Sequence, residues 1–272
     1  MASPAITERD ARRVSADGAV DEADVVAVEE PLEIQVGGEP LVLTMRTPGE
    51  DRFLAIGFLF AEGVVRSLAD VGTVAHCGRP GEEGFGNVID VTAGPGVSLD
   101  AGRLEGTRRG TLTTASCGIC GRRSIDDLIE RVGPSERELT VSVATLLEAP
   151  TTLAEAQDAF AKTGGVHAAT VLDATGAALA HAEDVGRHNA VDKVVGKLLY
   201  AERLDEAVTL VVSGRVSFEI VQKAAAAGIP VVVAVSAPTS LAIDLAERAG
   251  ITLAAFVRGG RMNVYSRADR LR

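Results

Sequence analysis

Residues 208–257 narrow the fold more than any other stretch. "VTLVV" (208–212), "VVVAV" (231–235) and "TLAAFV" (252–257) are short, continuous and rich in valine. Helical stretches separate them, from Ser217 to Ala227 and from about Ser240 to Ala249. Gly228-Ile229-Pro230 stops the first and Gly250 the second. Strands that are apolar at nearly every position need cover on both faces, and intervening helices supply it. The pattern predicts a parallel, covered sheet in an α/β fold.

Such a sheet says where to look for a ligand, because ligands bind outside the carboxyl ends of its strands. The three strands run into Ser213-Gly214-Arg215, Ser236-Ala237-Pro238-Thr239-Ser240 and Arg258-Gly259-Gly260-Arg261. One edge thus collects Arg215, Arg258 and Arg261, four hydroxyls and open glycine backbone. Two of the loops precede helix N-termini, so the edge suits phosphate. Each loop alone is ordinary turn chemistry; the coincidence of three is what points to a phosphorylated ligand. No Walker A loop is present, and no GxGxxG follows a strand.

Upstream, "LEIQVGGEPLVLTM" reads as a hairpin around Gly37-Gly38. A helix is expected from Thr47-Pro48, carrying Phe53, Leu54, Ile56, Leu59 and Phe60 and ending at Gly63. "NVIDVTA" is a further strand, and residues 77–86 a loop. Beyond residue 135, "TLLEAPTTLAEAQDAFAKTGG" is helical, "VHAATVLDATGAALAHAED" a hairpin, and "VGRHNAVDKVVGKLLYAERL" a helix after a polar turn. Residues 1–22 read as a disordered or loosely attached tail. The expected division is this tail, a small N-terminal α+β domain over 23–134, and an α/β domain over 135–272.

Within "EDVGRHNAVDK", Glu183, Asp184, Arg187, His188, Asn189, Asp192 and Lys193 crowd into eleven residues. The stretch is either a site or a capped, solvated helix start, and its hydrogen-bonding density favours a site that includes His188. His167, in "GGVHAAT", reads as a satisfied core histidine.

The chemistry concentrates in "TTASCGICGRRSIDD" (113–127), which holds two of the chain's three cysteines, Cys117 and Cys120. Ser124 and Asp127 form a capping-box pattern, so the pair is expected in a glycine-flanked loop before a helix. A helix N-terminus and Arg122-Arg123 would both favour a thiolate. Zinc needs four ligands, and the other candidates (His76, Cys77, His167, His181, His188) are scattered. A zinc deaminase would place H-x-E before P-C-x-x-C. Here His181-Ala182-Glu183 follows the cysteines, and Ser116 replaces the proline. Thioredoxin-like redox needs a core strand before the pair, and "LEGTRRGTLTTAS" is a poor one. What remains is a nucleophilic thiol that accepts and passes on sulfur.

The net charge of −11 argues against nucleic acid or an anionic membrane as partner. Aromatics are 3% and tryptophan is absent, which disfavours base-stacking platforms. No apolar run spans a bilayer, the charged start is not a signal peptide, and three cysteines do not make a secreted disulfide framework. These features lead to an expected cytoplasmic location.

"MRTPGEDRFLAIGFLFAEG", "ASCGICGR", "TGGVHAA", "EDVGRHNAVDKVVG" and the run from "SGRVSFEIVQKAAAAGIPVVV" through "FVRGGRMNVYS" resemble the FdhD family, from about residue 28 to the end. The resemblance implies a sulfurtransferase, or sulfur carrier, for formate dehydrogenase maturation. It would take sulfur from a cysteine desulfurase as a cysteine persulfide and deliver it to the molybdenum (or tungsten) bis(pyranopterin guanine dinucleotide) cofactor. A cytidine-deaminase-like domain over 135–272 and a homodimer are implied as well, with no metal of the protein's own. By motif, Cys117 would carry the persulfide and Cys120 relay or resolve it. Phe256, Val257, Arg258, Gly259, Gly260 and Arg261 would bind the guanine dinucleotide, on the edge already marked by Ser213, Gly214, Arg215 and Ser236. The competing reading is a non-catalytic chaperone for the same cofactor.

Overall fold

The computed structural model describes residues 5–79, 85–99 and 139–272. Residues 1–22 were expected to be a disordered or loosely attached tail; the stretch is ordered as a strand pair, with β1 (Ile6–Ser15) and β2 (Gly18–Ala27) antiparallel in a two-stranded sheet. The charges that suggested disorder are complementary across the pair. Arg12 stands opposite Asp21, and Arg13 reaches Glu22 at 2.7 Å. Opposite charges across strands favour pairing, although exposed pairs contribute little. The hairpin buries little of itself: Val14 and Val20 are 72% and 64% exposed.

β3 (Glu30–Val36) and β4 (Glu39–Arg46) form the expected hairpin. Gly37 and Gly38 both take positive φ, at 60° and 84°, which a tight turn with the twist of the flanking strands requires. α1 (Asp51–Ala61) begins later than the expected Thr47. Gly49 and Glu50 are left-handed, at φ 100° and 61°, so the chain turns before it coils. β5 (Val71–His76) and β6 (Val88–Ala93) complete a four-stranded sheet of order β4-β3-β6-β5, with β3 and β6 parallel. Leu32 and Ile34, two apart on β3, face Leu54 and Leu59 of α1 across one apolar core.

Next come α2 (Val143–Glu155), α3 (Asp158–Thr163), β7 (His167–Leu172), β8 (Ala178–Asp184) and α4 (Arg187–Tyr200). The helical stretch expected over 145–165 is two helices, broken at Ala156-Gln157. The valine-rich segments then become β9 (Thr209–Val212), α5 (Phe218–Ala226), β10 (Val231–Ala234), α6 (Ser240–Arg248) and β11 (Thr252–Arg258). β9, β10 and β11 are parallel, as expected. The sheet as a whole is mixed. Its order is β12-β11-β10-β9-β7-β8, and β7, β8 and β12 (Arg261–Ser266) run antiparallel to their neighbours. Residues of α4, α5 and α6 pack one face, Val194, Val221 and Leu245 among them; Leu146 and Leu153 of α2 pack the other. The fold is α/β.

Two glycines let α1 and α4 meet backbone to backbone. A Cβ on Gly57 would stand 1.9 Å from the Asp192 carbonyl oxygen, and one on Gly196 would stand 2.0 Å from that of Phe53. No helix among the described residues is long and apolar enough to cross a membrane.

Candidate functional site

The parallel strands end together, and a cavity of about 790 Å³ opens at that edge. One wall comes from α2, α3 and the turn between them; it is mainly apolar, with Leu147, Leu153 and Phe160, and also carries Glu148, Thr151 and Gln157. The opposite wall comes from the strand ends: Ser213 after β9, Val235 after β10, Val257 and Arg258 at the close of β11, then Gly259 and Gly260. Those two glycines take φ 60° and 70°, and no atom lies within 4 Å of where their side chains would be. The turn therefore offers bare backbone to whatever occupies the cavity. Just before it Phe256 is left-handed, at φ 55°, within the irregular pairing of β11 with β12. A phenylalanine rarely adopts this conformation, and such residues cluster at ligand clamps.

Of the residues expected at the site, Ser213, Val257, Arg258, Gly259 and Gly260 line this cavity. Gly214, Arg215 and Ser236 occupy the same sheet edge but not the wall. Phe256 sits one residue behind the wall, donating its N–H to the Ser236 carbonyl at 3.1 Å. Arg261 stands opposite Arg258 across the hairpin. The Ser213 Oγ accepts the Ala168 N–H at 3.0 Å, and its own O–H remains to donate. Cys117, Cys120 and the helix expected after Ser124 lie outside the described residues.

His188 is not in the wall. It is buried, with Nε2 2.9 Å from Ser217 Oγ and 2.9 Å from Glu219 Oε2, at the start of α5. The rest of the "EDVGRHNAVDK" stretch is mostly an internal junction. Asp184 is fully buried, 2.7 Å from Lys193 Nζ, and accepts the Thr47 N–H. Lys193 donates to the Thr47 and Glu183 carbonyls, and Asn189 donates to the Met45 carbonyl at 2.8 Å. Glu183 accepts the Ala159 and Phe160 N–H groups and so caps α3. Burial raises the Asp184 carboxyl pKa, against the pull of Lys193.

His167 was expected in the core and stands instead in the cavity wall. Burial, then Arg187 and His188, lower its pKa below 6.5, so the ring is neutral at pH 7. Gln157 also lines the cavity, and its buried Nε2 makes no hydrogen bond among the described residues. Only the antiparallel pairing of β7 with β9 brings the start of β7 to the edge where β9 ends. The Val-rich pattern reveals where β9 ends and not that β7 begins beside it.

Comparison with known proteins extends this picture. The family model described as FdhD/NarQ family matches residues 27–272. A relative named Sulfur carrier protein FdhD, from Anaeromyxobacter dehalogenans (strain 2CP-C), is 56% identical over 255 residues, covering 91% of this chain and 88% of the relative. A protein of the same name from Mycobacterium tuberculosis (strain ATCC 25618 / H37Rv) is 50% identical over 275 residues, covering 98% and 99%. A crystal structure from Desulfotalea psychrophila, provisionally assigned as a formate dehydrogenase accessory protein, superposes with a TM-score of 0.77. That comparison is at 23% identity and covers 99% of this chain and 100% of the other, which speaks to the fold. Matched by the family model over all but its first 26 residues, this chain belongs to the FdhD/NarQ family.

Proposed function

We propose that the protein is a sulfur carrier for formate dehydrogenase maturation. It takes sulfur from a cysteine desulfurase on Cys117 and delivers it to a molybdenum or tungsten bis(pyranopterin guanine dinucleotide) cofactor, bound as substrate. The observation that carries this reading is the cavity at the strand ends. Its polar lip, with Arg258, Ser213 and the bare Gly259-Gly260 backbone, suits phosphate oxygens, and its mainly apolar wall suits a ring system. The naming of the relatives as sulfur carriers supports the same reading. A cytidine-deaminase-like scaffold for residues 135–272 and a cytoplasmic homodimer belong to it through the family resemblance.

The chemistry is thiol exchange. The Cys117 thiolate attacks the outer sulfur of the donor persulfide; a new S–S bond forms on Cys117, and the donor cysteine leaves as thiolate. For delivery, the Cys120 thiolate attacks Sγ of Cys117. A Cys117–Cys120 disulfide forms, and the outer sulfur departs as sulfide carrying the electron pair of the broken bond. The cofactor takes up that sulfide. A thiol reductant then restores both cysteines.

The test is mass spectrometry without reductant after incubation with a cysteine desulfurase and cysteine. The peptide containing Cys117 should gain one sulfur, lost on adding a thiol, and Cys117→Ala should abolish the gain and formate dehydrogenase maturation in cells. No gain in the wild-type protein overturns sulfur carriage and leaves a cofactor-binding chaperone.

A further inference from the structure

The wall of the cavity built by α2 and α3 carries two side chains that packing does not account for. Phe160 is 45% exposed, and among the large exposed hydrophobics of the described residues it is the one that lines the cavity. Scattered exposed apolar residues are normal on a convex surface, but an open aromatic face in a concave wall is a contact surface for a ligand. Glu148 is exposed as well, and it is the one carboxylate among the lining residues. It stands in the middle of α2, away from the N-terminal turn where a helix dipole would favour a negative charge.

Both side chains are presented from elements tied to the sheet. The two carboxylate oxygens of Glu183, on β8, accept the N–H of Ala159 at 2.7 Å and that of Phe160 itself at 2.8 Å. Leu146, Ala149 and Leu153 bury the other side of α2. A ligand meeting Glu148 and Phe160 therefore has little backbone to order, which saves part of the cost of binding.

The two walls differ in sign. Arg258 and the bare Gly259-Gly260 backbone stand at the strand ends, and the carboxylate stands on α2. A ligand that sets its phosphates on the first wall turns its base toward the second. A carboxylate can only accept hydrogen bonds, so it suits a base edge with two adjacent donors. Guanine has them, N1–H beside the N2 amino group. Adenine sets the lone pair of N1 at that place and cytosine the lone pair of N3, and an acceptor facing a carboxylate is repelled. An aromatic face, by contrast, stacks on any base.

We propose that α2 and α3 form the base-reading half of the site: Phe160 stacks on the nucleotide base of the ligand, and Glu148 accepts from its edge and so selects guanine over adenine. The assignment rests on reading the cavity as a site for a phosphorylated cofactor, and it names the residues that recognise the base.

Calorimetry on the full-length protein at low salt measures GDP, ADP and inorganic pyrophosphate. Wild type should bind GDP about tenfold more tightly than ADP or better. Phe160→Ala should weaken GDP and ADP alike by about tenfold and leave pyrophosphate unchanged, since only the bases stack. Glu148→Gln should weaken GDP by about tenfold, as loss of hydrogen bonds to a charged acceptor does, and leave ADP and pyrophosphate within about twofold. Both side chains are exposed, and an unchanged thermal midpoint shows that each variant folds. Equal wild-type affinity for GDP and ADP, or a preference for GDP that survives Glu148→Gln, overturns guanine selection by Glu148. Loss of pyrophosphate in step with GDP in Phe160→Ala overturns stacking. If both variants bind GDP like wild type while Arg258→Gln weakens GDP and pyrophosphate, the base-reading wall is wrong and the phosphate edge stands. If wild type binds none of the three, the reading of the cavity falls and this assignment with it.

Discussion

Asp192 and Lys223 face each other almost without solvent, with Nζ 2.7 and 2.9 Å from the two carboxylate oxygens. Burial pushes the Asp192 carboxyl up to about 6, and Lys223 only partly offsets it. Burial works against the lysine charge too, but Asp192, Glu62 and Glu219 outweigh it, so the carboxylate is the softer member. The folded protein therefore binds a proton at Asp192 before the unfolded chain does, whose value is near 3.8. This group's contribution to stability falls as pH rises from about 4 to about 6 and is flat above, by about 1–3 kcal/mol in all. Urea titrations across that range, with Asp192→Leu plus Lys223→Met as reference, should show the gap to wild type moving in that direction. At pH 7, Lys223→Met alone should cost about 3–5 kcal/mol, because it leaves a buried charge unpaired, and the double replacement far less. Residue types such as Arg258 and the cysteine pair could be picked out by eye, but their surroundings could not. The polar density of 183–193 resembled a ligand site because the main-chain and side-chain groups of Thr47 that absorb much of it lie 137 and 138 residues away. His167 resembled a core residue for a similar reason: the pairing that exposes it is non-local.

Strands β9 to β11 were legible as elements because burial on both faces leaves a continuous apolar run with glycine stops between helices. The hairpin of β1 and β2 was not, because a strand pair that packs on almost nothing has no apolar face to show. Its strands are joined by charge and by ladder hydrogen bonds, and only the end of β2 reaches the body, where Ala27 lies beside Gly165. The contact of α1 with α4 was equally hidden. A glycine inside a helix normally lowers stability by about 1 kcal/mol relative to alanine. At Gly57 and Gly196 the sign reverses, because the alanine Cβ would overlap a carbonyl oxygen of the facing helix. Gly57→Ala or Gly196→Ala should each cost about 3 kcal/mol or more in urea denaturation, since backbone cannot move aside as a flexible side chain can.

The molecule divides unevenly in what holds it. The hairpin lies almost wholly outside the family match, which begins at residue 27, and it buries little. Deleting residues 1–22 should shift the thermal midpoint by less than about 4 °C, the equivalent of about 1 kcal/mol for a chain of this size. A larger drop would mean that the hairpin supports the body. The remaining sheets are welded at one seam, where α1 lies on α4 and Thr47 is gripped by Asp184 and Lys193. That seam has a consequence during synthesis. α1 ends at Ala61 and the helix it packs against begins at Arg187, so 126 residues (187 − 61) must follow before the partner leaves the ribosome. At about 5–20 residues per second the wait is roughly 6–25 s. Throughout it the apolar flank of α1 and the bare backbone at Gly57 face solvent, which makes the nascent first half a natural client for a holding chaperone.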